Sequence, residues 1–356
     1  MPMSVRTLLS KRDAAVGCLL GMAVGDALGL PYESLSARRA ARILGPPDRH
    51  RLIFGRGMVS DDTEHACMTL QALLSTAGGL DAFERVLAGN LRRWLLLLPA
   101  GCGLATGRAV IKLLMGFPPH HSGVYSAGNG PAMRSTILGA VIDDPEQLRS
   151  AVRMATRMTH TDPKAEAGAL TIALAVRSSR LGESSPEGFL RLVRVQLAGL
   201  ESTELLQRIV SAANSSESTI EYAARRWPGR GISGYILDTV EAVLHAWFQN
   251  PLDYGSAVTS LIRCGGDTDT TAAIAGGIIG AAVGLQGIPP DWLHALHDWP
   301  RTNAWMESLA ESAVAAVESR SRQRVLRLPV CGVLPRNLLF LAIVLGHGFR
   351  RLFPPY

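Results

Sequence analysis

Aromatic residues make up only 6% of this 356-residue chain, and its five cysteines (Cys18, Cys67, Cys102, Cys264, Cys331) include no Cys-x-x-Cys pair. An odd cysteine count without paired spacing argues against a disulfide framework or a zinc knuckle and points to a reducing, cytoplasmic setting. Lysine is nearly absent. Only Lys11, Lys112 and Lys164 stand among the 36 basic residues, a bias of coding composition rather than function. Long apolar runs are missing as well: Thr271–Leu285 is about fifteen residues, short of the roughly 20 that span a bilayer. Residues 14–25 form an apolar stretch behind Lys11-Arg12. Asp26 interrupts that stretch and no small-residue cleavage site follows, so a secretory signal is not expected. Strict apolar/polar alternation hardly occurs, which leaves little room for strands.

What is present is apolar and unevenly charged. Hydrophobic residues reach 47% against 19% charged, ample for a packed core and wrong for a disordered chain. The net charge of +6 sits at one end. From Ser319 to Tyr356 there are seven Arg (Arg320, Arg322, Arg324, Arg327, Arg336, Arg350, Arg351) and no acid, leaving 29 basic against 30 acidic residues elsewhere. A nucleic-acid role for the whole chain is therefore not expected. The tail, residues 319–356, carries the apolar run Leu338–Leu345 behind Pro329 and Pro335. It is expected to be peripheral and of low order, free to dock on the body, an acidic membrane surface or a partner, and to take no part in the chemistry.

Residues 10–318 read as helices. Apolar residues recur at three- and four-residue steps, as in Phe83-Val86-Leu87 and Val240-Val243-Leu244, and Gly/Pro clusters punctuate them. About a dozen helices in one all-α domain are expected. Gly17, Gly21, Gly25 and Gly29 recur every fourth residue, as do Gly276, Gly280 and Gly284. Each set makes a flat stripe where another backbone can approach. The two stripes are expected to face each other on antiparallel helices.

Acidic and hydroxyl residues gather at three helix boundaries. Gly25-Asp26-Ala27-Leu28-Gly29-Leu30-Pro31-Tyr32-Glu33 ends the first striped helix. Ser60-Asp61-Asp62-Thr63 opens another helix, and Cys264-Gly265-Gly266-Asp267-Thr268-Asp269-Thr270 opens the second striped one. Helix capping alone accounts for one carboxylate or hydroxyl per boundary, worth about 0.3–1 kcal/mol. Paired carboxylates exceed that need and repel one another unless a cation sits among them. Oxygen donors without His or Cys suit Mg²⁺, Mn²⁺ or Ca²⁺ rather than zinc. A fourth segment, Ser126-Ala127-Gly128-Asn129-Gly130-Pro131-Ala132-Met133-Arg134, would offer backbone N–H groups to an anion with Arg134 nearby, or is a plain loop and helix start. His160, within Thr159-His160-Thr161-Asp162, reads as a capping or polar-core histidine. His294 and His297 read as surface histidines.

The order GDALGLPYE, SDDT, GNGPAMR, TH, GGDTDT, spanning Gly25 to Thr270, resembles the ADP-ribosylglycohydrolase family. That resemblance implies an all-α orthogonal multi-helix fold and a site for two Mg²⁺ or Mn²⁺ held by Ser60, Asp61, Asp62, Asp267, Asp269 and Thr270. It implies that Glu33 stands near the scissile bond, and that Gly128, Asn129, Gly130, Met133, Arg134 and His160 line an ADP-ribose pocket. Where the family often has an aromatic before its GNG element, Ala127-Gly128 stands here, with Tyr125 nearby. The expected reaction is hydrolysis of the N-glycosidic bond of an ADP-ribosylated protein side chain, arginine by preference, with Asp61, Asp62 or Glu33 as the carboxylate that steers water. Two alternatives are an immunity or binding protein that neutralises a cognate ADP-ribosyltransferase toxin by contact, and another metal-dependent phosphohydrolase.

Overall fold

The computed structural model describes residues 8–354, so the last two residues of the tail lie outside the described residues. Eighteen α-helices, two 3₁₀ turns and one two-stranded ladder make up the described chain. The all-α expectation holds. Helices outnumber the expected dozen because several prolines start helices instead of only breaking them. Pro119, Pro145, Pro163, Pro186 and Pro290 each stand in a first turn, where the missing N–H costs nothing and the fixed φ suits a helix.

The centre is a pair of helices, α1 (Lys11–Gly29) and α5 (Thr268–Val283). A Cβ on Gly17 would lie 2.3 Å from the Gly280 carbonyl oxygen, on Gly21 2.3 Å from that of Gly276, and on Gly25 2.2 Å from that of Ala272. One number rises as the other falls, so the helices run antiparallel with their backbones in contact. Gly29 completes the series against Thr268, again too close for a Cβ, at 2.4 Å. Gly284 stands just past α5 at φ +65, a conformation that favours glycine. Every residue of α1 from Ala14 to Gly29 is buried, so its apolar length serves the core. Around this pair pack α2 (Asp61–Thr76), α3 (Gly130–Val141) and α4 (Pro163–Arg180). The seam carries a prediction. Replacing Gly21 with Leu should lower stability by about 1–3 kcal/mol or more through overpacking, read as a fall in the urea midpoint. A midpoint unchanged from wild type would contradict the contact.

The tail departs from expectation. Residues Val330–Arg350 form a helix, α6, whose inner face is buried on the body. The expectation of low order is corrected, and the physical reason is a buried charge. Arg336, 3% exposed in its side chain, pairs with Asp298 and lies 3.0 Å from Glu64, and it also donates to the Val59 carbonyl. Glu64 in turn pairs with Arg301 and accepts from the Trp94 indole. Composition shows seven arginines and cannot show that one of them is an internal counter-ion. By length and hydropathy α6 is long and apolar enough to cross a membrane, and its outer face, with Leu338, Leu345 and Phe349, is exposed. Truncation after Glu318 is expected to destabilise the body, because Asp298 loses its paired guanidinium and Glu64 loses one of its two. Removing one member of a buried pair costs about 3–5 kcal/mol. A melting temperature within a degree or two of the full chain's would contradict this.

Candidate active site

Gly29 ends α1, a 3₁₀ turn carries the chain through Leu30–Tyr32, and Glu33 follows. Past Ser34, two residues pair with the glycines of the GGDTDT segment, Leu35 opposite Gly266 and Ser36 opposite Gly265. Both glycines have positive φ, and a Cβ on Gly266 would lie 2.0 Å from the Ile232 carbonyl oxygen. Glycine is required there by backbone conformation and by space together. The Asp267 N–H donates to that same carbonyl at 2.8 Å. The first and third acidic motifs are thus joined by main chain.

The second motif is held by a residue the sequence reading did not single out. Asp26, fully buried in α1, accepts from the Ser60 N–H at 2.9 Å, the Thr63 N–H at 3.3 Å and the Thr63 hydroxyl at 2.6 Å. It caps α2 from outside the helix, which leaves Asp61 and Asp62 free of capping duty. The Asp62 carboxylate accepts from the Ser60 and Thr270 hydroxyls, each at 3.2 Å. Its other oxygen, Oδ1, is buried without a hydrogen-bond partner, as is Oδ1 of Asp269.

Burial, reinforced by neighbouring carboxylates, raises these groups above the usual carboxylate range. Desolvation lifts Asp26 to about 6 against its hydrogen bonds, and Asp61 reaches about 7, with Asp26, Glu64 and Glu33 adding repulsion. Asp62 and Asp269 are pushed well up for the same reasons. Glu33 is raised by burial and Asp267, with the Arg351 guanidinium opposing. Arg351 also donates to the carbonyls of Glu33 and Pro31, each at 2.9 Å.

One cavity of about 570 Å³ gathers most of the expected residues. Glu33, Ser60, Asp61, Asp267, Asp269 and Thr270 line it, as do Gly128, Asn129, Gly130, Met133 and His160. Asp62 lies behind this lining, joined to it through Thr270. Asn129 links two motifs: its amide donates to Asp267 Oδ2 at 2.7 Å and to the Thr239 hydroxyl at 3.0 Å. The rings of His160 and the backbone of Gly128 and Gly130 meet so closely that a Cβ on either glycine would lie 3.2 or 3.3 Å from the imidazole. His160 is held neutral, its pKa depressed to about 3 by burial and by Arg134.

One expectation is corrected. Arg134 does not face the cavity. It is fully buried and donates to the Ala155 carbonyl at 3.1 Å and to the Thr159 hydroxyl, and it meets His65 Nδ1 at 3.0 Å. Thr159 in turn contacts His160 Nδ1 at 2.9 Å, so Arg134 underpins the histidine, since helical periodicity turns it inward. Of the two readings of the GNG segment, the loop and helix start is the one its bonding supports, with the helix opening at Gly130. The Gly128 N–H bonds the Ser126 hydroxyl, the Asn129 N–H bonds the Gly234 carbonyl, and Pro131 has none. Tyr125 is 79% exposed and outside the lining, and His294 and His297 are exposed, as expected of surface histidines. Sequence reasoning missed the Ala100–Thr106 segment and, from the tail, Phe340 and Val344, all of which line the cavity. Gly101 and Gly103 were the only local signal.

The donor chemistry fits a hard cation: carboxylates and hydroxyls only, two buried oxygens unpartnered. Among the described residues no three His, Cys, Asp or Glu side chains form a ready-made ligand cluster; the hydroxyls of Ser60 and Thr270 both turn to Asp62.

The family model described as ADP-ribosylglycohydrolase matches residues 7–323. The chain belongs to the ADP-ribosylglycohydrolase family. It is 30% identical to the ADP-ribosyl-[dinitrogen reductase] glycohydrolase of Rhodospirillum rubrum, over 81% of this chain and 91% of that one. It is 27% identical to the ADP-ribosylarginine hydrolase Tri1 of Pseudomonas putida, over 85% of this chain and 77% of that one. A solved chain of an "ADP-ribosylglycohydrolase-related protein complex" superposes with a TM-score of 0.67 at 27% identity, covering 86% of this chain and 99% of that one. This is a family of hydrolases acting on ADP-ribose linkages.

The raised carboxylates set a pH dependence. Asp26 and Asp61 have folded-state values of about 6 and about 7 against an ordinary 3.8. Their contribution to stability is therefore fully present below about pH 4 and is lost as pH rises through about 6 and 7. In chelator, the melting temperature is expected to decline across this window more steeply for wild type than for Asp61→Asn. Equal slopes would contradict the raised value.

Proposed function

We propose that the protein hydrolyses ADP-ribosylated protein side chains, ADP-ribosyl-arginine foremost, and that it does so with two Mg²⁺ or Mn²⁺. The supporting observation is the single cavity in which the carboxylates of Glu33, Asp61, Asp267 and Asp269 meet the Gly128–Gly130 segment and His160. The similarity to the ADP-ribosylarginine hydrolase Tri1 supports the choice of acceptor.

Ser60, Asp61, Asp62, Asp267, Asp269 and Thr270 would hold the cations. When bound, these neutralise the carboxylates and acidify a water. The chain's own groups do the rest. His160, neutral, can exchange a hydrogen bond with a ribose or phosphate oxygen through Nε2. Asn129 holds Asp267 in place. Water oxygen bonds to C1″ of the distal ribose while the C1″–N bond breaks. Glu33, whose carboxyl burial raises above its ordinary value, or Asp61 accepts the water's proton and passes it to the departing guanidine nitrogen. Positive charge developing on the ribose is stabilised by the surrounding carboxylates. We also place this chemistry in a reducing, cytoplasmic setting, an assignment that rests on five unpaired cysteines, two of them exposed. No observation favours the alternative of a protein that neutralises a transferase toxin by contact.

The test is release of free ADP-ribose from an ADP-ribosyl-arginine substrate, with Mg²⁺, Mn²⁺ or chelator. Asp267→Asn and Asp269→Asn are each expected to lower kcat at least 100-fold, the order lost when a group that stabilises the transition state is removed, and to abolish the rise in melting temperature that the cation produces in wild type. Full activity in chelator would overturn the metal assignment, and inertness toward ADP-ribosyl-arginine beside turnover of an ADP-ribosyl-serine peptide would overturn the acceptor.

A further inference from the structure

The family match ends at residue 323, yet Phe340 and Val344 of α6 line the cavity. This chain therefore closes its site with an element beyond the family's span. Phe340, 2% exposed, clusters with Leu30, Leu52 and Met58, and Ala100, Ile343 and Val344 pack against that cluster. The cluster borders the carboxylates. Leu30 precedes Glu33 by one 3₁₀ turn. Gly101, next to Ala100, lies so near Asp61 that a Cβ there would be 2.9 Å from Oδ1. His160 meets Gly128 and Gly130 instead. The wall is held firmly at both ends, by Arg336 in its ion pairs and by Arg351 on the carbonyls of Glu33 and Pro31.

We propose that α6 is the wall that meets the acceptor side chain, with Phe340 and Val344 as specificity-determining residues for a long aliphatic stem. The proposal rests on the hydrolase reading above. Beside the scissile bond the ribose is polar throughout, and the first apolar part of an arginine conjugate is the methylene stem beyond the guanidinium. Such stems lie along apolar surface while their charged ends stay with polar groups. A wall fixed by buried ion pairs selects by shape, because it cannot yield.

The discriminating substrates are ADP-ribosyl-arginine and ADP-ribosyl-guanidine, which share the bond to be broken and differ in the stem and the amino and carboxyl groups it ends in. ADP-ribosyl-propylguanidine, which has the stem alone, is the control that must behave as the arginine conjugate does. With the full-length protein, wild type is expected to favour the arginine conjugate in kcat/KM. Val344→Phe narrows the wall and Phe340→Ala removes it, and each is expected to lower the arginine-to-guanidine ratio by about tenfold, the order set by one or two methylene contacts. Val344 is only partly buried, so its variant carries the test even if Phe340→Ala unfolds, which a melting curve reports. An active wild type whose ratio stays the same in Val344→Phe, both substrates moving by one factor or neither moving, overturns the wall alone. A wild type that releases ADP-ribose from neither conjugate overturns the choice of arginine as acceptor and this proposal with it, and one that also leaves an ADP-ribosyl-serine peptide intact overturns the hydrolase reading.

Discussion

The site depends on how closely two helices can approach. Along α1 and α5 the carbonyl oxygens of one backbone stand where Cβ atoms of the other would be, so only glycine at Gly17, Gly21, Gly25 and Gly29 permits the pairing. Because the helices run antiparallel, the end of one lies beside the start of the other. Glu33 and Asp267 belong to the segments just outside those ends, and the ladder between Leu35–Ser36 and Gly265–Gly266 ties the segments together. Small-residue packing in the core thus sets the spacing of the chemistry at the surface.

The second constraint is charge in a dry place. Asp26, Asp62, Asp269, Glu64 and Asp298 are all buried, and isolated carboxylates cannot be buried cheaply. The chain answers in two ways. Glu64 and Asp298 are neutralised by Arg301 and Arg336, which draws the C-terminal helix onto the body and makes it part of the cavity wall. Asp26 is satisfied by the amides and hydroxyl at the start of α2. Asp62 and Asp269 receive neither treatment in full, and their unpartnered oxygens make them the most cation-ready atoms of the site.

The cavity is asymmetric as a result. On the acidic side, carboxylates crowd and their protons are held tightly. Beside His160, Arg134 lies underneath and the imidazole is kept uncharged. A neutral histidine beside an acidic cluster can bind hydroxyls and phosphate oxygens without being drawn into an ion pair, which leaves the carboxylates to the cations and the reacting carbon.

Much of this was legible in the residues themselves. Glycines every fourth position signalled close packing because helical geometry places such residues on one face, and the antiparallel sense followed from assigning Glu33 and Asp267 to one site. The order of the acidic motifs marked the family, and the lack of alternation marked the all-α class. What the sequence could not determine was direction and partnership. Arg134 reads as an anion ligand in a Gly-rich segment, and only packing shows that it turns inward to Thr159 and His65. Arg336 reads as one of seven tail arginines, and only the tertiary fold shows it facing Glu64 and Asp298, residues 272 and 38 positions away. A residue's chemical type is local and can be read from one letter, whereas its counter-ion is chosen by the folded backbone, because the burial that makes a charge seek a partner exists only once the chain has folded.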